Sequence, residues 1–226
     1  LEAKSLQWSM DSTTTVGKDV VRMRGVGAQE GVELTMRMTV VGGGKTIPMD
    51  ARMLREAGHT VMYMSSPALE GQLPKGKTWV RIDMDRAGSS VGLDLSAILD
   101  TSRSLEPVLA GLVSSRRVGT DTVLGRRMAR YHLVVDVEKA GRAVPAYGAQ
   151  LEALRKATGI SLTTLDYDMW LDAKGRFRQV RFTMPSVASG GLTADVDMTM
   201  TVVAYDVPVD VSAPPRRLVY EPPATS

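Results

Sequence analysis

The sequence predicts a mainly β (α+β) protein: a single large curved antiparallel sheet that forms a half-barrel, with short helices over its apolar concave face. Apolar and polar residues alternate with a period of two through most of the chain, which is typical of strands with one buried and one solvated face. The 14 methionines, set against 2 phenylalanines, fall almost entirely on the apolar side of that alternation. The strands are therefore expected to share one apolar face.

Each strand is predicted from its own alternation, in chain order. The inward positions are Leu6, Trp8, Met10, Val21, Met23, Val32, Leu34, Met36, Met38, Val40, Ile47, Met49, Ala51, Met53, Met62, Met64, Val80, Ile82, Met84, Tyr131, Leu133, Val135, Val137, Leu165, Tyr167, Met169, Leu171, Val180, Phe182, Met184, Ala194, Val196, Met198, Met200, Val202 and Ala204. Met128 is the only methionine out of phase. The opposite phase, with Val61 and Tyr63 inward, stays open for the strand that holds Met62 and Met64.

The run Gly42-Gly43-Gly44-Lys45-Thr46 looks like a phosphate-binding loop. Such a loop requires a glycine five residues before the Gly-Lys-Thr, and position 39 is threonine. It also requires a helix after the loop, whereas the strand pattern resumes at Ile47. We therefore predict a hairpin turn at the glycine run and no nucleotide site.

Two stretches, residues 92–113 and 145–157, predict helices. Their expected apolar stripes are Leu105, Leu109, Leu112 and Val113 in the first, after an N-cap at Ser104, and Tyr147, Leu151 and Leu154 in the second, which begins at Pro145. No change of composition divides the chain before the proline-rich end, so we predict one domain over residues 1–207 and an extended tail over 208–226.

These helices are too short to cover the whole predicted sheet. The uncovered part is expected to be a cavity, a ligand site or a partner surface, unless the sheet closes on itself around a filled core. The residues predicted to line an apolar cavity are Met23, Leu34, Met36, Met38, Met49, Met62, Met64, Ile82, Leu105, Leu109, Leu112, Tyr147, Leu151, Met169, Phe182, Met198 and Met200.

Composition argues against several classes of function. The formal net charge is +3 and aromatics make up 5%, so the chain lacks the basic tracts and stacking platforms of nucleic-acid binding, while weak attraction to an anionic membrane stays open. It has no cysteine, and His59 and His132 lie far apart, so neither a metal site nor a cofactor is predicted. Asp166, Asp168 and Asp172 are interpreted as part of a solvated strand face.

One catalytic pattern is present, the G-x-S-x-G match at residues 88–92. A nucleophile elbow requires a strand directly before the serine and a helix directly after it, and other residues intervene on both sides of Ser90. The one histidine after the serine, His132, has the phase of the polar face. We therefore expect the protein not to be an enzyme.

The order of several weak motifs over residues 5–214 carries a family resemblance. The matching features are Asp94–Leu99 leading into a leucine-rich helix, Gly119–Tyr131 with Leu124-Gly125, the W-x-D-x-x-G-x-x-x-x-V run at Trp170, Asp172, Gly175 and Val180, and the closing Y-D-x-P-V-x-V-x-x-P from Tyr205 to Pro214. In these features the chain resembles the LppX/LprG-type cell-envelope lipoproteins of actinobacteria, within the broader LolA-like group of lipid and lipoprotein carriers.

The resemblance implies a half-barrel closed by helices around a cavity for acylated lipids, in a protein exported by a signal peptide and anchored at the cell membrane. This chain lacks the lipid-modified cysteine and the long first helix of such proteins, so an N-terminal anchor is expected outside it. The expected function is non-enzymatic carriage of an acylated lipid or lipoprotein. The alternative is an envelope sensor or structural domain that acts through a protein partner and has a closed core.

Overall fold

The structure is a computed structural model that describes residues 4–85, 106–158, 162–189 and 192–222. Its strands are β1 Ser5–Val16, β2 Asp19–Glu30, β3 Glu33–Gly42, β4 Lys45–Glu56, β5 His59–Ser65, β6 Trp79–Asp83, β7 Leu112–Val123, β8 Arg126–Asp136, β9 Thr164–Leu171, β10 Phe177–Ser189, β11 Leu192–Tyr205 and β12 Val219–Tyr220. Its helices are α1 Pro67–Glu70, α2 Glu106–Ala110, α3 Val137–Ala143, α4 Pro145–Thr158 and a 3₁₀ turn at Arg216–Leu218.

The strands form one twelve-stranded sheet in the order β12-β6-β5-β4-β3-β2-β1-β11-β10-β9-β8-β7. Two antiparallel meanders, β1 to β6 and β7 to β11, meet where β1 pairs with β11. The pairing of β12 with β6 is parallel. The sheet has two separate edges, β12 and β7, so it is an open half-barrel, and the predicted fold class is confirmed.

The glycine run is a hairpin turn, as predicted. Gly42 pairs with Lys45 across the β3–β4 ladder, and Gly43 and Gly44 have φ values of 56° and 73°. Positive φ at both central residues of a two-residue loop matches the right-handed twist of the flanking strands, and glycine reaches this region without steric cost.

The strand registers place most of the predicted inward residues on one face of the sheet, which we call the inner face. Val32 and Met84, predicted in strands, lie instead in the turn before β3 and just after the end of β6. One row across the ladders runs from Met49 through Met38, Gly25 and Met10 to Met200. Residues opposite each other in an antiparallel ladder share a face, so this row joins both meanders. We call the other side the outer face. Met62 and Met64 pair with Met53 and Ala51, so their predicted inner phase is confirmed.

Met128 lies on the outer face, as its phase predicts. It is 2% exposed and packs with Val123 and Trp170 in a small outer cluster. The Trp170 Nε1 donates to the Asp121 carboxylate at 2.9 Å. The methionine out of phase therefore belongs to a second, smaller core.

The prediction of helices is right in one place and wrong in two. The predicted helix at 145–157 is α4. The predicted helix at 92–113 is wrong at its end, because only α2 is helical in the described part and Leu112 and Val113 begin β7. Val137 was expected in a strand but begins α3, because the Asp136 side chain accepts the Lys139 N–H and caps a helix there.

No helix among the described residues is both long and apolar enough to cross a membrane. The remaining predicted helical residues, 92–105, lie outside the described ranges.

The C-terminal segment after β11 runs across the outer face to the far edge of the sheet. The Arg52 guanidinium donates to the Ser212 carbonyl at 2.9 Å and stacks on the Trp79 ring at 4.9 Å. β12 then pairs with β6, and Glu221 accepts from Arg81 at 2.8 Å. The division into a domain and a tail from residue 208 stays a prediction, but this segment is bound to the sheet.

The C-terminal segment covers part of this end of the outer face, since Tyr63 lines one cleft together with Pro214 and Val219. Val61 and Tyr63 are 0% and 4% exposed although their partners in the register, Asp83 and Arg81, lie on the outer face. The Tyr63 hydroxyl donates to Glu56 at 2.7 Å, and burial raises the pKa of that hydroxyl. The strand is therefore buried on both faces, which explains why its sequence allows either phase.

The turn between β9 and β10 shows what the W-x-D-x-x-G motif does. The Asp172 carboxylate accepts the backbone N–H groups of Lys174 and Arg176 at 2.9 and 3.0 Å, and Gly175 has φ of 74°. It also accepts the side chains of Arg176 and Arg178 at 2.9 and 3.2 Å. The motif thus builds a hairpin turn and its ion pairs.

We predict that Asp172→Asn lowers the free energy of unfolding at neutral pH by about 2 kcal/mol, because charge-assisted hydrogen bonds are lost. Desolvation works against the charge, but the hydrogen bonds prevail and lower the pKa of Asp172 from 3.8 to about 2. Because the pKa of Asp172 is lower in the folded protein than in the unfolded chain, the ionised carboxylate stabilises the fold at pH values above the unfolded pKa. This contribution disappears as the pH falls toward 2. Urea unfolding across this range is the measurement. A wild-type advantage that persists undiminished at the acid end would contradict the assignment.

Candidate functional site

The centre of the inner face is a band of methionines that the described residues only partly cover. We call Met10, Met38, Met49, Met169, Met198 and Met200 the methionine patch. All of its members are half-buried, whereas several residues toward both ends of the same face are fully buried. The patch is continuous, because Val180 pairs with Met200 on one side and with Met169 on the other.

One end of the inner face is packed core. Trp8, Leu34 and Met53 are 7, 6 and 1% exposed and form one cluster, with Met36 packed against it. Leu34 and Met36 were predicted to line a cavity. The structure gives Leu34 a place in the core and Met36 a place at the border between core and patch.

Two helices, α3 and α4, lie at the opposite end of the inner face and pack against each other. Gly111 lies against both β8 and α3, since a Cβ added there would stand 2.8 Å from Val135 Cγ1 of β8 and from Ala140 Cβ of α3. Helix α3 therefore packs closely against the end of β8. Burial raises the pKa of Tyr147 on α4, and burial together with the nearby Tyr147 raises that of Tyr167 on β9. Tyr147 of α4 therefore lies near Tyr167, which is an inner-face residue of β9.

The other predicted lining residues fall into three groups. Met23, Met62, Met64, Ile82, Leu112, Leu151 and Phe182 are half-buried. The Phe182 ring lies 5.3 Å from that of Tyr167. Leu109 is 67% exposed, so the described residues do not show the packing onto the sheet that its stripe predicts. Leu105 lies outside the described residues. A ligand-binding role for any of these positions stays a prediction.

Two glycines shape the inner face and were not singled out from the sequence. A Cβ on Gly27 would stand 2.5 Å from the Trp8 ring and 2.8 Å from the Thr35 carbonyl oxygen. A Cβ on Gly25 would stand 3.0 Å from Met38 Cγ. Their spacing of two within a strand is the signal that could have predicted these close approaches, since glycine inside a strand often marks one.

The outer face carries charge but no catalytic arrangement in the described ranges. His132 lies 3.4 Å from both Asp166 and Asp168, and Arg130 pairs with Asp168 at 2.7 Å. Desolvation opposes ionisation of Asp168, but the Arg130 hydrogen bond prevails and lowers its pKa. These aspartates thus lie on a polar outer face beside Arg130 and His132, as expected. Ser90 lies outside the described residues.

Two further polar groupings lie near the sheet edge at β6. His59 Nδ1 is 3.3 Å from Asp85 and 4.0 Å from Asp83. The donor atoms of these three side chains lie close enough together to ligate a metal ion. Between the C-terminal segment and β4–β6 is a cleft of about 810 Å³ in which Arg81 pairs with Glu56 and Glu221. Neither resembles the apolar inner face.

No protein-family model matches the chain, and no curated protein sequence matches it. Solved structures do. LprF from Mycobacterium bovis is 14% identical over 91% of this chain and 89% of its own, with a TM-score of 0.46. The lipoprotein LppX from Mycobacterium tuberculosis is 12% identical over 93% and 90%, with a TM-score of 0.39. A LolA superfamily protein from Nitrosomonas europaea is 9% identical over 90% and 88%, with a TM-score of 0.24. These are the groups that the sequence resemblance names.

We predict that Gly27→Ala destabilises the fold by ~1–3 kcal/mol, because the new methyl group overlaps an aromatic ring and a backbone oxygen. Gly25→Ala is the matched control. Its methyl group is tight only against the flexible Met38 side chain, because the Arg37 carbonyl oxygen is at an ordinary contact distance of 3.5 Å. Alanine also restricts the unfolded chain more than glycine does, so the effect of this variant is expected to be small. Denaturant midpoints measure both variants. Equal midpoints for the two would contradict the close packing of Trp8 on Gly27.

Proposed function

We propose that the protein binds the acyl chains of a lipid or lipoprotein on its inner face and carries them at the cell envelope without catalysing a reaction. The observation that carries this proposal is the methionine patch: a continuous apolar band, half-buried in the described residues, between two well-packed ends of one face. A sheet face of this kind is suited to an apolar occupant.

The chemistry of the patch favours alkyl chains. Two neighbouring inner-face rows cross the sheet from β4 to β9, one from Met49 to Met169 and the other from Ile47 to Tyr167. Neither row contains a charged residue. Methionine is unbranched and polarizable, so its side chain adapts to chains of different length and shape. The patch thus offers nothing to bind a charged headgroup, which is expected to stay at the edge of the face.

The energetic requirement supports an extended apolar site. Taking an alkyl chain out of a bilayer forfeits ~0.8 kcal/mol per methylene, or on the order of 12 kcal/mol for a sixteen-carbon chain. A site must return most of this free energy by burying the chain. A band that crosses several strands provides the necessary length, because neighbouring strands lie about 4.8 Å apart.

The extracytoplasmic location, the anchor and the absence of catalysis follow from the family resemblance, and they belong to this proposal. The competing hypothesis is a sensor or structural domain with a filled core, acting through a protein partner. The two differ in whether the methionine patch can admit a chain.

We predict that Met38→Trp and Met198→Trp reduce uptake of a fluorescent fatty-acyl probe far more than they lower the melting temperature. The reason is that both residues are half-buried in the patch, where added volume fills space that the chain would occupy. The measurement combines probe titration with thermal melts of each variant and the wild type.

Met53→Trp is the matched control for this experiment. Met53 is 1% exposed within the Trp8 cluster, so the same change there overpacks a core and is expected to destabilise the fold by ~1–3 kcal/mol or more. If the two patch variants instead melt as early as the Met53 variant and keep full probe binding, the patch is closed core and the carrier proposal fails.

A further inference from the structure

Two neighbouring hairpins at one end of the sheet expose valines. We call residues 16–22 and 41–46, the turns between β1 and β2 and between β3 and β4, the hairpin rim. Its exposed apolar residues are Val16, Val20, Val21 and Val41, at 36, 37, 36 and 39%. The two turns touch, since Val21 Cγ2 lies 3.1 Å from where a Cβ on Gly42 would stand. Val16 and Val21 lie on the inner side of this end of the sheet and Val20 and Val41 on its outer side, so the rim exposes valines on both sides.

The hairpin rim is also basic. Lys18, Arg22 and Lys45 are exposed, and none has a carboxylate partner among the residues that the structure describes. Asp19 is the one carboxylate in the two segments. Cations beside apolar residues at a protein edge are the combination that binds an anionic lipid surface, where the charges meet headgroups and the apolar groups enter the interface.

The arginines farther along the same strands are different. Arg24 pairs with Asp11 at 2.9 Å and Arg37 with Asp50 at 3.1 Å, both on the outer face. These two arginines nearer the middle of the sheet are thus paired, whereas, among the described residues, the cations of the rim are not.

We propose that the hairpin rim docks the protein on an anionic membrane surface. The rim is also close to the methionine patch, since a single inner-face row, Met23, Val40 and Ile47, separates them. If the proposed carriage of acyl chains is correct, a chain leaving the bilayer beneath the rim reaches the patch along this row. The docking itself does not depend on that function.

The test is co-flotation of the full chain with vesicles of phosphatidylcholine mixed with phosphatidylglycerol, and with vesicles of phosphatidylcholine alone. Wild type is expected to bind the anionic vesicles more tightly, and binding should weaken as salt is raised.

The triple variant Lys18→Gln, Arg22→Gln, Lys45→Gln should lose about 100-fold in partition coefficient, at about fivefold for each basic residue near the surface. The variant Val16→Thr, Val20→Thr, Val41→Thr should weaken binding to both kinds of vesicle, because each change replaces a methyl group by a hydroxyl.

The hairpin between β7 and β8, at the opposite end of the sheet, provides a matched control. Its Leu124 is 54% exposed, and Arg126 and Arg127 have no carboxylate partner in the described part of the chain. Leu124→Asn suits the positive φ of 50° at that position. This substitution, combined with Arg126→Gln and Arg127→Gln, should leave vesicle binding unchanged.

Three results would overturn the proposal: no binding of wild type to anionic vesicles at low salt, equal loss of binding in the control, or a wild type that self-associates while the valine variant is monomeric. The last would assign the rim to a second copy of the chain. Probe binding in vesicle-free solution separates the two proposals, because the rim variants should retain it. A wild type that binds vesicles but no acyl probe supports the rim and contradicts the proposed function.

Discussion

The pairing of β1 with β11 is the interaction on which the rest of the structure depends. It joins the last strand of one meander to the first strand of the other and sets Met10 opposite Met200. A slip of one residue in this ladder would turn one meander's apolar residues toward solvent. The alternation that extends through both meanders makes such a slip costly, and the hydrophobic pattern itself thus specifies the register.

A shared apolar face does not have to be a filled one, and the inner face is filled unevenly. Trp8 lies over Gly27 at one end, and α3 and α4 pack at the other, while the methionine patch between them is only half-buried in the described residues. Flexible side chains at that position are consistent with an occupant of variable shape. A polar headgroup would find no charged partner there, and the nearest unpaired cations of these strands lie one row beyond, at the hairpin rim.

Local alternation predicted the sheet and its inner face well, because each strand's phase is carried by its own residues. It failed where the burial of a residue depends on a contact distant in sequence, and where a single capping residue starts a helix. Val61 and Tyr63 are buried on the outer face, and Tyr63 lines a cleft with residues more than a hundred positions away, which the strand's own pattern does not show. Asp136 converts an apparent strand residue, Val137, into the start of a helix. The spacing of Leu109, Leu112 and Val113 imitated a helical stripe, but the last two belong to an exposed edge strand.

Native mass spectrometry of the purified full chain can show whether the inner face holds acyl chains. We expect part of the purified protein to carry an additional mass in the range of an acylated lipid. Organic extraction should remove this mass, and the extract should yield fatty acids after hydrolysis. A protein that shows only the mass of its polypeptide, and acquires no adduct after incubation with an excess of phospholipid, would contradict the claim.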